Sequence, residues 1–279
     1  MASPRIEELK AELVRHRAVE TPTAEQIEAF RQHLYTTLEA LRPRLEARGK
    51  WQAIVDDLTS TPLDELYYAA EGNRGRALTV LGREFLDDVE GHARYVIAAG
   101  VPGDFCEAGV FRGGISILLS ALLGELAPRR RLWAADSFRG LPAPDPDRDA
   151  PAEIASWAVL SWTGAFATNV DEVVASFERL GAYGDHVKLL VGWFEDTLPT
   201  APIEALALLR VDCQYEHSTR TVLEALYPKL SAGGRVLLND YGHGAYWGAR
   251  AAIDAFRAKH SITADVHMQG HSAWWQKPT

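Results

Sequence analysis

Acidic and amide side chains stand where several apolar runs of this sequence stop. Glu107 follows "DFC", Asp136 follows "RRLWAA", Asp212 follows "ALALLRV", and Asn239 with Asp240 follows "GGRVLL". A fifth run, "HVKLLV", third in chain order, stops at Gly192 and Trp193. Short apolar runs rich in Val and Leu read as buried strands. In an open α/β sheet ligands bind at the carboxyl ends of the strands, so these residues belong to one candidate site.

The chemistry follows from the residue types. Glu107 runs into "EAGVFRGG", a turn in which Gly109, Gly113 and Gly114 allow a ligand to approach the backbone. The turn lacks the GxGxxG spacing and a phosphate-loop lysine, and an acid at its start repels a pyrophosphate. It suits a cationic ligand group instead. Asp136, at the end of the second run, suits the paired hydroxyls of a ribose. An amine plus a ribose without a diphosphate points to S-adenosylmethionine. Asp212, Asn239 and Asp240 offer hard oxygen donors of the kind Mg²⁺ accepts. Capping of the following helices is the competing role for those acids. His217 and His243 follow these run ends closely and are candidate general bases. Aromatic residues gather nearby (Trp157, Trp162, Trp193, Tyr215, Tyr241, Tyr246, Trp247), suited either to packing or to stacking on an acceptor.

The elements that position these residues come from the rest of the pattern. Residues 1–60 read as helix, with "SPRIEELKAEL" opening on Ser, Pro and early acids. A further helix is expected over 76–99. From Asp104 onward, strands alternate with helical stretches such as "GGISILLSALLGEL" and "HSTRTVLEALYPKL". "ITADVHMQG" and "HSAWWQK" suggest a final strand pair across a Gly turn. The alternation predicts an α/β fold with a mostly parallel sheet. Two regions are expected: a helical extension or lid over 1–99 and the α/β domain over 100–279. The Pro- and Asp-rich stretch 140–153 reads as a loop that continues irregularly to about Asn169.

Bulk properties set limits. The 279 residues carry a net charge of −9, which disfavours nucleic acid or an anionic membrane as partner. Cys106 and Cys213 lie in strand-like runs and are expected to be buried free thiols of a reducing compartment. A charged N-terminus and short apolar runs predict neither a signal peptide nor a membrane span, hence a cytoplasmic location.

The segments "GDFCEAGVFRGG", "AADSFRGLPAPD", "VGWFEDTLPTAPIEALALLRVD", "STRTVLEALYPKLSAGGRVLLNDYG" and "AAIDAFRAKH" together resemble the TylF family of macrocin-type O-methyltransferases. The resemblance runs in order over about residues 100–279. It implies a Rossmann-like class I methyltransferase sheet of seven strands, the last antiparallel. It implies S-adenosylmethionine as donor, Mg²⁺ at the acceptor, and sugar or glycoside hydroxyls of bacterial specialised metabolites as acceptors. Carried over, Glu107 and Gly109 hold the methionine part, Asp136 and Ser137 the ribose side, and Asp212, Asn239 and Asp240 the metal. Gly113, Gly192 and Trp193 complete the expected cofactor-binding set, and Asp212, His217 and His243 the catalytic one. A homo-oligomer is expected, with residues 1–75 matched by none of these motifs.

Two departures stand out. The family pattern resembles "LRLDGDLYEST", with an acid where this chain has Gln214. The family pattern "DDYG" is "NDYG" here, with Asn239. The first replaces a candidate general base of the family by a glutamine that takes no proton at neutral pH; the second leaves one of three metal-position carboxylates neutral and weakens metal binding. They keep two alternatives open: a metal-independent N- or C-methyltransferase, and a relative without transferase activity, such as a cyclase, an isomerase or a binding protein.

Overall fold

The computed structural model describes residues 3–15, 21–72, 77–164, 166–242 and 247–278. Among the described residues five helices precede the first strand: α1 (Pro4–Leu13), α2 (Ala24–Ala47), α3 (Trp51–Ser60), α4 (Leu63–Gly72) and α5 (Arg83–Ala98). Then follow β1 (Asp104–Ala108), α6 (Gly114–Leu126), β2 (Leu132–Asp136), α7 (Pro151–Leu160), α8 (Val170–Arg179) and β3 (Val187–Val191). The chain closes with α9 (Phe194–Thr197), β4 (Leu206–Val211), α10 (Glu216–Leu226), β5 (Leu230–Leu238), α11 (Trp247–Lys259), β6 (His267–Gln269) and β7 (Ser272–Gln276).

The strands form one seven-stranded sheet in the order β3-β2-β1-β4-β5-β7-β6. β1 to β5 pair in parallel, and β7 runs antiparallel between β5 and β6. The order reverses between β1 and β4, so a crevice opens at the carboxyl ends of those two strands. Period-two alternation divides the core. Phe105, Leu132, Ala134, Leu208 and Leu237 face α1, α5 and α6, while Cys106, Trp133, Leu209, Val236 and Trp275 face α10 and α11. Glu107, Arg210 and Asn239 continue the first set. They therefore reach the crevice from the face that α5 and α6 cover. Both cysteines are buried and free.

The N-terminal helices divide their loyalties. Ile6, Leu9 and Leu13 of α1 and Leu86 and Val89 of α5 belong to the sheet core. Phe30, Leu34, Leu38, Ile54 and Tyr67 of α2–α4 instead form a separate core with Ile154, Ala155, Ala158 and Val159 of α7. Sequence signals explain the helix starts. Ser3 caps α1, accepting from the Ile6 amide at 3.3 Å. Thr23 and Gln26 form a capping box for α2.

Two expectations need correction. Residues 140–169 are not one irregular loop, because "PAEIASWAVL" is α7. Pro151 starts it, and Glu153 accepts from the Ala150 amide at 2.6 Å. The helix has no one-sided apolar stripe because it is sandwiched between α2–α4 and the crevice, and so its period was hidden. The helix expected over 76–99 starts only at Arg83; residues 77–82 are non-helical, and 73–76 lie outside the described residues. The helical reading of 1–60 holds over the described residues as α1, α2 and α3, with a break near Gly49, whose φ is +65°.

Candidate active site

The crevice is a cavity of about 710 Å³, within the size range of small-molecule sites. Its floor is built by the strand ends. Glu107 of β1 is in register with Arg210 of β4, which is in register with Leu237 of β5. Two residues further along, the Asp212 amide bonds the Ala108 carbonyl at 2.8 Å and the Asn239 amide bonds the Val211 carbonyl at 2.9 Å. The ladder thus carries Asp212 and Asn239 to the same rim. Gly109 sits beside them with φ +92°, and a Cβ there would lie 2.1 Å from the Asp212 carbonyl oxygen. Only glycine fits.

The residue that ties the floor together is Arg210, 2% exposed and not among the residues expected from the sequence. One terminal nitrogen donates to Glu107 Oε1 at 2.6 Å. The other reaches Asp212 Oδ2 at 2.8 Å and Asn239 Oδ1 at 3.2 Å. The Ser116 hydroxyl of α6 donates to the second oxygen of Glu107. The signal was present: an arginine inside the otherwise apolar run "ALALLRV" is costly unless several acceptors surround it.

Glu107 is 1% exposed, and burial raises its carboxyl to about 7 against the pull of Arg210 and Ser116. Both of its oxygens have partners within the protein. Asp136 is similarly committed. One oxygen accepts from the Val110 and Phe111 amides at 2.7 and 3.0 Å, and the other from the Phe138 amide at 2.7 Å. It organises the glycine turn, and Phe111 and Phe138 on either side take positive φ of 53° and 55°. Ser137, next to it, lines the cavity too.

Asn239 explains its own departure from the acid of the family pattern. Its amide oxygen accepts from Arg210, and its amide nitrogen donates to Asp240 Oδ1 at 3.2 Å. A carboxylate cannot do both. Asp240 is 6% exposed. Burial, then the neighbouring Asp212 carboxylate, raises its carboxyl to about 8. Its Oδ2 is buried with no donor directed at it, as is Gln214 Oε1, and its carboxyl faces the Asp212 carboxylate.

The remaining expected residues separate. Trp193 and His217 line the cavity. The His217 side chain is 50% exposed, and its Nδ1 lies 3.1 Å from an Arg220 nitrogen. Arginine only donates, so the neutral ring carries its proton on Nε2. Gly113 and Gly192 do not line the cavity. Gly113 starts α6 with φ +90° against Val173 and Phe177, and the Gly192 amide extends the ladder to the Asp136 carbonyl at 3.0 Å. His243 lies outside the described residues, as do Tyr246 and the side chain of Trp247. Tyr215 lines the cavity, whereas Trp157 and Trp162 pack in the α2–α4 and α7 core. Tyr241 bonds Asp254 at 2.8 Å.

The roof comes from elsewhere in the chain. Leu58 of α3, Leu66 and Ala69 of α4, and Ala155 and Val159 of α7 supply an apolar wall. Leu78 to Leu81 cross the start of α6, where the Leu78 carbonyl accepts from the Gly114 amide at 3.0 Å. Among the described residues no helix is long and apolar enough to cross a membrane. The three-acid group Glu7, Asp87 and Glu90 is closed by the Lys10 ammonium, 2.5–2.8 Å from each.

A seven-stranded sheet with its switch point at β1 and β4, a glycine turn after β1 and acids at the strand ends define a class I methyltransferase. The chain belongs to the TylF family: the model described as Macrocin-O-methyltransferase (TylF) matches residues 21–277. It is 39% identical over 204 residues to a tetracenomycin-C rhamnosyl 4'-O-methyltransferase of Streptomyces olivaceus, covering 72% of this chain and 76% of that protein. It is 36% identical to the demethyldecarbamoylnovobiocin O-methyltransferase of Streptomyces niveus, covering 77% and 83%. The solved O-methyltransferase NovP superposes with a TM-score of 0.68 at 34% identity, covering 76% of this chain and 88% of that one. The chain is therefore an S-adenosylmethionine-dependent O-methyltransferase. The alternatives of an amine or carbon acceptor and of a protein without transferase activity fall away.

Proposed function

We propose that this enzyme methylates a hydroxyl of a glycosylated specialised metabolite, with Mg²⁺ held by Asp212, Asn239 and Asp240. The observation that carries the reading is the partnerless, buried Asp240 Oδ2 beside Asp212 at the floor of the donor cavity. Two carboxylates in contact, with an orphaned oxygen, form a donor set that fits a hard divalent cation. Such a cation lowers the pKa of a bound hydroxyl. The Streptomyces olivaceus relative named above is a methyltransferase of a rhamnosyl-bearing tetracenomycin, which supports a glycoside acceptor here.

The chain's own residues supply the rest. Gly109 and the turn fixed by Asp136 cradle the methionine end of the donor, and Asp136 with Ser137 faces the ribose. The apolar wall of α3, α4 and α7 excludes water and receives the aglycone. Positioning donor and acceptor in line is worth roughly 7–11 kcal/mol in intramolecular models. The acceptor proton passes to Asp212, whose Oδ2 lies 2.8 Å from an Arg210 nitrogen. His217, with Nδ1 turned to Arg220, is poorly placed to take it. Incubation with S-adenosylmethionine and a panel of glycosides, with and without EDTA, tests the reading. Gain of one methyl on a sugar hydroxyl, lost in EDTA, supports it; methylation indifferent to EDTA removes the metal from it.

A further inference from the structure

We propose that Arg210 is the positioning residue that fixes the oxygens of Asp212 and Asn239 in one orientation relative to the donor-side acid Glu107. The proposal rests on the reading that Asp212, Asn239 and Asp240 hold a divalent cation. Arg210 does not act on substrate; it acts through the side chains it bonds.

The geometry is a planar fork with three acceptors on three adjacent strand ends. Glu107 anchors one arm at 2.6 Å, and Asp212 and Asn239 share the other at 2.8 and 3.2 Å. Each contact removes a rotamer choice. Asp212 gives Oδ2 to the guanidinium, which fixes the plane of its carboxylate. Asn239 turns its oxygen to Arg210, so its nitrogen must face Asp240 Oδ1. That leaves Asp240 Oδ2 as the oxygen without a partner. The orientation of the Asn239 and Asp240 side chains is thus a consequence of where Arg210 points. The Ser272 hydroxyl lies beside the same arrangement, 3.2 Å from the Asn239 carbonyl oxygen and 3.4 Å from its Oδ1. Lysine cannot reproduce it, because one ammonium lacks the planar fork. Partners that orient metal ligands typically account for 10–100-fold in metal affinity.

The test compares wild type, Glu107→Gln/Arg210→Met and Arg210→Lys by Mn²⁺ calorimetry and by thermal unfolding. At pH 8, above the Glu107 value of about 7, the double variant removes one buried positive and one buried negative charge, so the net charge near the metal is preserved. A purely electrostatic or packing role predicts unchanged Mn²⁺ affinity there, and full rescue by lysine. Positioning predicts Mn²⁺ binding weakened about 10–100-fold in both variants, with the double variant unfolding cooperatively. Mn²⁺ binding as tight as wild type in either variant overturns the proposal, and the lysine variant decides if the double variant does not fold. A wild type that binds no Mn²⁺ strikes the metal reading itself, and the proposal falls with it.

Discussion

The Arg210 guanidinium and the Glu107 carboxylate meet at 2.6 Å across the β1–β4 ladder, both nearly excluded from solvent. Each favours the charged form of the other, and Arg210 also faces Asp212. Arg210→Met alone is expected to cost about 3–5 kcal/mol, because it strands a buried carboxylate. Adding Glu107→Gln should recover most of that loss. Urea denaturation of the single and double variants checks the difference; equal losses would show that the pair is not coupled.

Stability should fall as pH rises through the neutral range. Burial raises Glu107 and Glu153 to about 7 and Asp240 to about 8, from 4.5, 4.5 and 3.8. The folded chain holds these protons more tightly than the unfolded one. Their contribution is full below about pH 4 and is lost as pH climbs towards 8. Asp240→Asn should flatten the decline of the melting temperature between pH 5 and 8. An unchanged slope would show that Asp240 is ionised in the folded chain well below 8.

Metal binding should show the opposite trend. A cation must displace the Asp240 proton, so Mn²⁺ affinity should rise by up to about tenfold per pH unit until pH 8 and then level off. Calorimetry at several pH values measures this directly. Affinity flat from pH 6 to 8 would place the cation away from Asp240.

Proton transfer should depend on Asp212 and little on His217. Asp212→Asn is expected to lower kcat by about 10²–10⁴-fold. His217→Ala should change it by less than about tenfold. The reverse ranking, measured with an acceptor found in the glycoside panel, would return the base role to the imidazole.

The sheet was readable in the sequence because each parallel strand is a compact apolar run ended by a polar residue, as in "ALALLRVD". Those same ends named Glu107, Asp136, Asp212 and Asp240 as cavity residues, and all four line it. What escaped notice lies in packing rather than pattern. α7 has no exposed side because helices cover one face and the cavity the other. Arg210 is invisible to a rule that looks only at strand ends. The commitment of both Asp136 oxygens to backbone amides depends on how the turn after β1 folds back, which no local spacing records.

The glycine turn offers a further check. Gly109→Ala would place a Cβ against the Asp212 carbonyl at a positive φ. It should destabilise the fold by at least about 1–3 kcal/mol and weaken donor binding. Wild-type stability in this variant would contradict the close β1–β4 approach.

The most direct measurement is calorimetric titration of the wild-type enzyme with S-adenosylhomocysteine, the product of the donor. The cavity at β1 and β4 predicts saturable binding of one molecule per chain, abolished or strongly weakened in Gly109→Ala. A folded wild-type protein that binds none would contradict the assignment of this cavity to the methyl donor.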